Sequence, residues 1–174
     1  LLSAFLALAF GSLGGAAPSS ACPECPLTVT GFPAGLNDER FVLADFNGDG
    51  LLDVVAAQPD VPYGNGGAAL LLGARASADT GYVLGAPVRF ETGDDLELVT
   101  ADFDADGHPD IAILDHRGRV VRVRRGLGAG TFAAPVAYDT EDDPAGLAVG
   151  DVDGDGALDL LIANRGTSPQ LLMG

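Results

Sequence analysis

Between residues 37 and 174 short apolar runs alternate with short polar, glycine-rich ones. Phe41–Ala44, Val54–Ala57 and Leu70–Gly73 are apolar, and the same succession returns at Leu98–Ala101, Ile111–Leu114 and Val120–Gly126. It returns again at Leu147–Gly150, Leu160–Ala163 and Leu171–Gly174. Brief runs rich in Val, Leu and Ala, bounded by Gly, Pro and Asp, read as short strands. No stretch of ten or more residues after the first apolar run carries a helical period. Matching connectors, Leu84–Pro87 and Phe132–Pro135, separate the sets. Four short strands in roughly fifty residues is the pattern of a propeller blade. The prediction is an all-β chain: a β-propeller-like array of about three four-stranded blades, incomplete or open. The first unit is longer, and its extra residues, between Gln58 and Gly67 and between Gly73 and Gly85, are expected to be loops.

The polar segments repeat more strictly than the strands. Each unit has a nine-residue loop between its first two runs, starting at Asp45, Asp102 and Asp151, so 57 and then 49 residues apart. Positions 1, 3, 5 and 9 are Asp45, Asn47, Asp49 and Asp53 in the first loop. They are Asp102, Asp104, Asp106 and Asp110 in the second, and Asp151, Asp153, Asp155 and Asp159 in the third. Position 6 is Gly50, Gly107 or Gly156, where a sharp turn needs a residue that tolerates positive φ. Hairpin turns need one or two such residues, not up to four acids in nine positions. Bare carboxylates at this density repel one another. Hard cations such as Ca²⁺ take six to eight oxygen ligands, carboxylates and backbone carbonyls among them. The expected ligands are therefore the side chains at 1, 3, 5 and 9, with the carbonyl of position 7: Leu51, His108 or Ala157. His108 is expected to contribute backbone only, its imidazole directed outward. Up to three Ca²⁺ are expected, with the first loop weakest because Asn47 replaces an acid. An EF-hand requires a Glu at position 12 between helices; here Ala56, Ile113 and Ile162 stand in strand-like runs.

The loop pattern D-x-[DN]-x-D-G-x-x-D between strands, with connectors such as Gly130–Pro135, resembles the FG-GAP repeats, also called VCBS repeats. These occur in integrin α-subunit heads and in many exported bacterial proteins. The resemblance covers residues 27–174 and implies a Ca²⁺-bearing β-propeller, commonly of seven blades, with the ligands already named. Three blades cannot close a propeller. Further blades or a partner chain are therefore expected, and the sequence reads as a fragment or an open array.

Residues 1–21, LLSAFLALAF followed by a small, flexible stretch, look like part of a secretory signal peptide. The stretch is too short and Gly-rich for a membrane span. Export to the extracellular space or the periplasm is expected. Residues 22–36 form a segment carrying Cys22 and Cys25, read as a local disulfide in an oxidising compartment. The redox-pair and half-zinc-site readings of this C-x-x-C lack a second Cys pair.

Composition then alters the picture in one respect. There are 25 acids against 9 Arg and no Lys, a formal net charge of −16 with 47% hydrophobic residues. The chain is too apolar for an acidic disordered tail and too acidic to favour nucleic acid. Eleven of the acids lie in the three loops, so the charge is gathered as candidate ligand; three Ca²⁺ would bring the formal value to about −10. No nucleophile motif is present. Glu91, Asp94, Asp95 and Glu97 could be paired as acid and base, but Asp142 and Asp143 share their phase, so the acids read as turn residues of the repeat. In Arg117–Arg125, strand alternation places Arg122 and Arg124 opposite Val121 and Val123, as on a solvated outer strand paired with neighbouring acids, with a ligand patch as the alternative. The reading is a secreted, non-catalytic Ca²⁺-binding repeat module that mediates adhesion or binds a protein or carbohydrate. Its rival is the accessory domain of an exported polysaccharide-active enzyme.

Overall fold

The computed structural model describes residues 40–58, 67–75, 82–92 and 96–174, all within the compact unit Ala34–Gly174. The leader-like residues 1–21, the Cys22–Cys25 segment and Asp94–Asp95 lie outside the described residues.

The described chain is all-β: β1 (Arg40–Ala44), β2 (Asp53–Gln58), β3 (Gly67–Leu71), β4 (Gly73–Arg75), β5 (Tyr82–Leu84), β6 (Val88–Thr92) and β7 (Leu96–Ala101) come first. Then follow β8 (Asp110–Asp115), β9 (Val120–Arg124), β10 (Val136–Asp139), β11 (Pro144–Gly150), β12 (Asp159–Asn164) and β13 (Gln170–Leu172). Among the described residues no helix is long and apolar enough to cross a membrane.

Most strands join their chain neighbours, as short connections dictate; β3 instead joins β6, past the β4–β5 hairpin. The first sheet is ordered β1-β2-β3-β6, the second β7-β8-β9-β10 and the third β11-β12-β13, all antiparallel. None closes into a barrel, and the three form an open propeller-like series. The second unit therefore has its four strands, whereas the described third has three. One expectation is corrected. The segment between Gly73 and Gly85 contains a hairpin, β4 with β5, in place of a plain loop. Three-residue strands carry too little alternation to register as a pattern.

Register explains the stacking. Val55 pairs with Val42 and Leu70, so these three share a face, and Ala112 shares one with Val99 and Val123 in the second sheet. The first trio packs against Leu96, Leu98, Ile111 and Ile113 of the second sheet, with Phe46 at its rim. The second trio packs with Phe103 against Leu147, Leu160, Ile162 and Leu172 of the third. The first and second sheets thus each bury a forward face under the rear face of the next, removing apolar surface from water. Leu161 pairs with Ala148 and Leu171, which makes that trio the forward face of the third sheet. Here Leu171 is 38% exposed and Met173 54%. Val152, in the loop position of the buried Phe46, is 58% exposed.

Polar bridges tie the repeats together. Arg124 donates to Glu91 Oε2 through Nε (3.1 Å) and Nη2 (3.0 Å), and to the carbonyls of Phe90 and Ala133. The expected outer strand is corrected, since β9 lies between β8 and β10, while the expected pairing with neighbouring acids is present: Arg122 meets Asp115 within the sheet and Arg124 meets Glu91. A long Arg stem can cover apolar surface while its head finds a buried carboxylate, which alternation alone does not reveal. Glu97 is likewise committed. It accepts from Arg40 of β1 (3.0 Å) and from Leu147 N of β11 (3.3 Å), while His116 Nδ1 donates to Pro144 O (2.7 Å).

Candidate metal centre

The three nine-residue loops share a set of backbone bonds, from position 6 to 1, from 5 to 3 and from 7 to 5. The carboxylate at position 1 accepts N–H groups from the far side of the turn. Asp45 accepts from Gly48, Asp49 and Gly50; Asp102 from Asp106 and Gly107; Asp151 from Gly154 and Gly156. Position 3 accepts from the N–H of position 5 in each loop. Position 5 accepts from the N–H of position 7, at 2.8 Å in all three. Asp and Asn favour such local bonds to the backbone, which is why they organise turns. Position 6 has the predicted positive φ: +82° at Gly50, +88° at Gly107 and +93° at Gly156. Position 4 also turns left-handed, and there the second loop places Ala105 at φ +57°.

These bonds aim carboxylates at common points. In the second loop Asp102, Asp104 and Asp106 each offer an oxygen within 4.8 Å of the others, and in the third Asp151, Asp153 and Asp155 do so. In the first loop Asp45 and Asp49 flank Asn47, whose Nδ2 donates to Asp49 Oδ2 (3.0 Å). Donors that are all oxygen suit a hard cation of the Ca²⁺ or Mg²⁺ type. The imidazole of His108 is not part of the cluster. Its ring packs beside Gly128, with Cε1 3.1 Å from where a Cβ there would stand. Arg125, following β9, reaches Asp104 Oδ2 (3.3 Å) and brings a cation to the second loop.

Position 9 sits apart from this exposed group. Asp53, Asp110 and Asp159 open β2, β8 and β12 and are almost fully buried. Each uses one carboxylate oxygen to accept the N–H of loop position 2: Phe46 (2.9 Å), Phe103 (2.8 Å) and Val152 (2.8 Å). The other oxygen accepts from a glycine beyond the strand that pairs with it: Gly73 (2.7 Å), Gly126 (2.7 Å) and Gly174 (3.0 Å). Those glycines are required by contact. A Cβ would stand 2.4 Å from Leu52 O at Gly73, 2.3 Å from Pro109 O at Gly126 and 2.5 Å from Leu158 O at Gly174. The sequence shows each unit's third run ending in Gly, and that ending is the signal for the clasp.

Burial raises the carboxyls of Asp53 and Asp110 above the ordinary range, against the pull of their two backbone N–H bonds. Asp159 is lowered, because the N–H groups of Gly174 and Val152 outweigh desolvation in the thinner surroundings of a three-stranded sheet. Tyr82 of the inserted hairpin is raised by burial and by Asp53 and Asp49; its hydroxyl donates to Leu52 O at position 8 of the first loop.

The structure thus brings positions 1, 3 and 5 together at the surface. It sets position 9 beneath them, bonded to backbone. The sequence model of the FG-GAP-like repeat matches residues 102–162, from the start of the second loop into β12. No curated protein and no solved structure matches the chain significantly.

Proposed function

We propose that the chain is a non-catalytic, Ca²⁺-binding FG-GAP-like repeat module of an exported protein, a reading supported by the match of residues 102–162 to the FG-GAP-like repeat. One observation carries the metal reading: the clusters Asp102/Asp104/Asp106 and Asp151/Asp153/Asp155 recur on loops held by the same backbone bonds. Ca²⁺ accepts side chains of differing reach in flexible geometry, which favours it over Mg²⁺ on surface loops. Asp102, Asp104 and Asp106 with the carbonyl of His108 would hold it in the second loop. Asp151, Asp153 and Asp155 with the carbonyl of Ala157 would do so in the third. Asp45, Asn47 and Asp49 with Leu51 form the weaker set. The buried Asp53, Asp110 and Asp159 retain lone pairs with which to close each site from below. Bound metal would supply the positive charge that the exposed carboxylates lack.

Export is supported by the leader-like residues 1–21. The partner is a protein or carbohydrate surface, and the forward face of the third sheet is where another sheet or a partner chain would stack. Val152, Leu171 and Met173 stand exposed there, while the matching faces of the other two sheets are covered. Thermal unfolding of the full chain in calcium and in chelator tests the metal reading. A ligand that binds only the folded state at 100 times its Kd stabilises by about 2.7 kcal/mol per site. The midpoint should rise with calcium concentration, and a midpoint indifferent to calcium would remove the reading.

A further inference from the structure

The first two loops are joined by a strap. After β9 the chain turns back on itself between Gly126 and Phe132, which form an antiparallel bridge closed by Leu127 N to Thr131 O (2.9 Å). The turn is braced by the Thr131 N–H and hydroxyl, both donating to Gly128 O. Its root belongs to the second loop: Gly126 N donates to Asp110 Oδ1 (2.7 Å), and the His108 ring lies against Gly128. Its tip belongs to the first: Gly130 N donates to Phe46 O (2.9 Å). The Phe132 ring meets the Phe46 ring edge-on with centroids 5.5 Å apart, and lies 5.0 Å from Phe90. Leu72 fills the space at Gly130, its Cδ2 3.0 Å from where a Cβ would stand, so the tip is seated with little slack.

The bond at the tip is made at a sensitive place. The Phe46 carbonyl belongs to the peptide that carries Asn47, and the Phe46 N–H is already held by Asp53 (2.9 Å). The strap therefore fixes the peptide between candidate ligands Asp45 and Asn47. Its far end fixes the glycine that clasps Asp110. Each loop must adopt one geometry to converge its oxygens, and ordering either loop removes part of the entropy cost of ordering the strap. Among the described residues no such bond reaches the third loop.

We propose that the strap Gly126–Phe132 couples calcium binding at the first loop to calcium binding at the second, so that occupancy of either raises the affinity of the other, while the third loop stays independent of the first. This rests on the calcium reading above. Coupling between sites is reciprocal, and factors of about five or more are typical.

Tyr82 supplies a reporter, since its hydroxyl bonds the first loop at Leu52 O and the chain has no Trp. Terbium, a luminescent stand-in for Ca²⁺, is titrated into the full chain with excitation through tyrosine, and loss of signal in Tyr82→Phe assigns it to the first loop. Disabling the second loop with Asp104→Ala and Asp106→Asn should weaken terbium at the first loop about five-fold. The matching third-loop pair, Asp153→Ala and Asp155→Asn, should leave it unchanged. Phe132→Leu, which keeps an apolar side chain at the strap, should shrink the coupling while both loops still bind. First-loop affinity indifferent to the second-loop substitutions overturns the coupling alone. Absence of terbium and calcium binding at every loop overturns both the coupling and the calcium reading. Equal weakening by the second- and third-loop pairs overturns the strap as the route.

Discussion

Asp104 and Asp110 stand six residues apart in one loop and meet opposite surroundings. Asp104 projects to solvent beside Asp102, Asp106 and the Arg125 guanidinium. Asp110 is buried, with each oxygen on a backbone N–H. The same division appears in the third loop between Asp153 and Asp159. Residue type and spacing shape the loop, but burial assigns the work. Outer carboxylates keep lone pairs open to solvent, whereas the inner one first stands in for missing strand bonds where the loop enters the sheet and has only its remaining lone pairs to offer.

The strongest way to break this division is Asp110→Ala. Each of two buried N–H groups left without an acceptor costs about 1–3 kcal/mol, so the loss should be about 2–6 kcal/mol. Denaturant melts should show it in chelator as fully as in calcium. An unchanged chelator melt would place Asp110 with the ligands alone. The outer pair Asp104→Ala and Asp106→Asn should behave the other way. The chelator midpoint should move by no more than about 0.5 kcal/mol, as for most surface changes. The increment from that site's calcium, about 2.7 kcal/mol at saturating metal, should vanish.

Arg125 sharpens the outer half of the comparison. Its guanidinium competes with a cation for Asp104, in an exposed pair of the kind worth at most about 1 kcal/mol. Arg125→Gln should therefore tighten calcium at the second loop by up to about five-fold in calorimetric titration, an effect that fades with added salt. Unaltered affinity would show that the pair does not shield the site. The smallest effect concerns loop shape. Ala105 occupies a left-handed conformation that costs an L-residue about 1–2 kcal/mol, against about 0.5–1 for the greater freedom of glycine. Ala105→Gly should raise the melt by about 0.5–1 kcal/mol, the difference of those two costs.

The spacing of the three loops and the runs around them made the strands, the sheets and the outer carboxylates legible, because a repeat states the same pattern three times. Position 6 was readable because only one residue type suits that φ. Other features depended on contacts between segments. The clasp joins Asp110 to a glycine sixteen residues later, and local alternation does not encode that pairing. Arg124 reads as a solvent-facing strand residue until Glu91, thirty-three residues earlier, is placed beneath it. The β4–β5 hairpin is too short to alternate, and its partnership with the first loop runs through one tyrosine hydroxyl. The strap is spelled by the connector glycines, yet its attachment to Phe46 belongs to the neighbouring repeat.

The clasp also bears on how the chain is made. Asp53 finds Gly73, Asp110 finds Gly126 and Asp159 finds Gly174, always later in the same repeat and within about twenty residues. Loops of that size close cheaply. A repeat can therefore latch itself soon after its own glycine leaves the ribosome, before the next repeat has emerged. Translation order and folding order then coincide, and each finished sheet offers its successor a surface on which to dock.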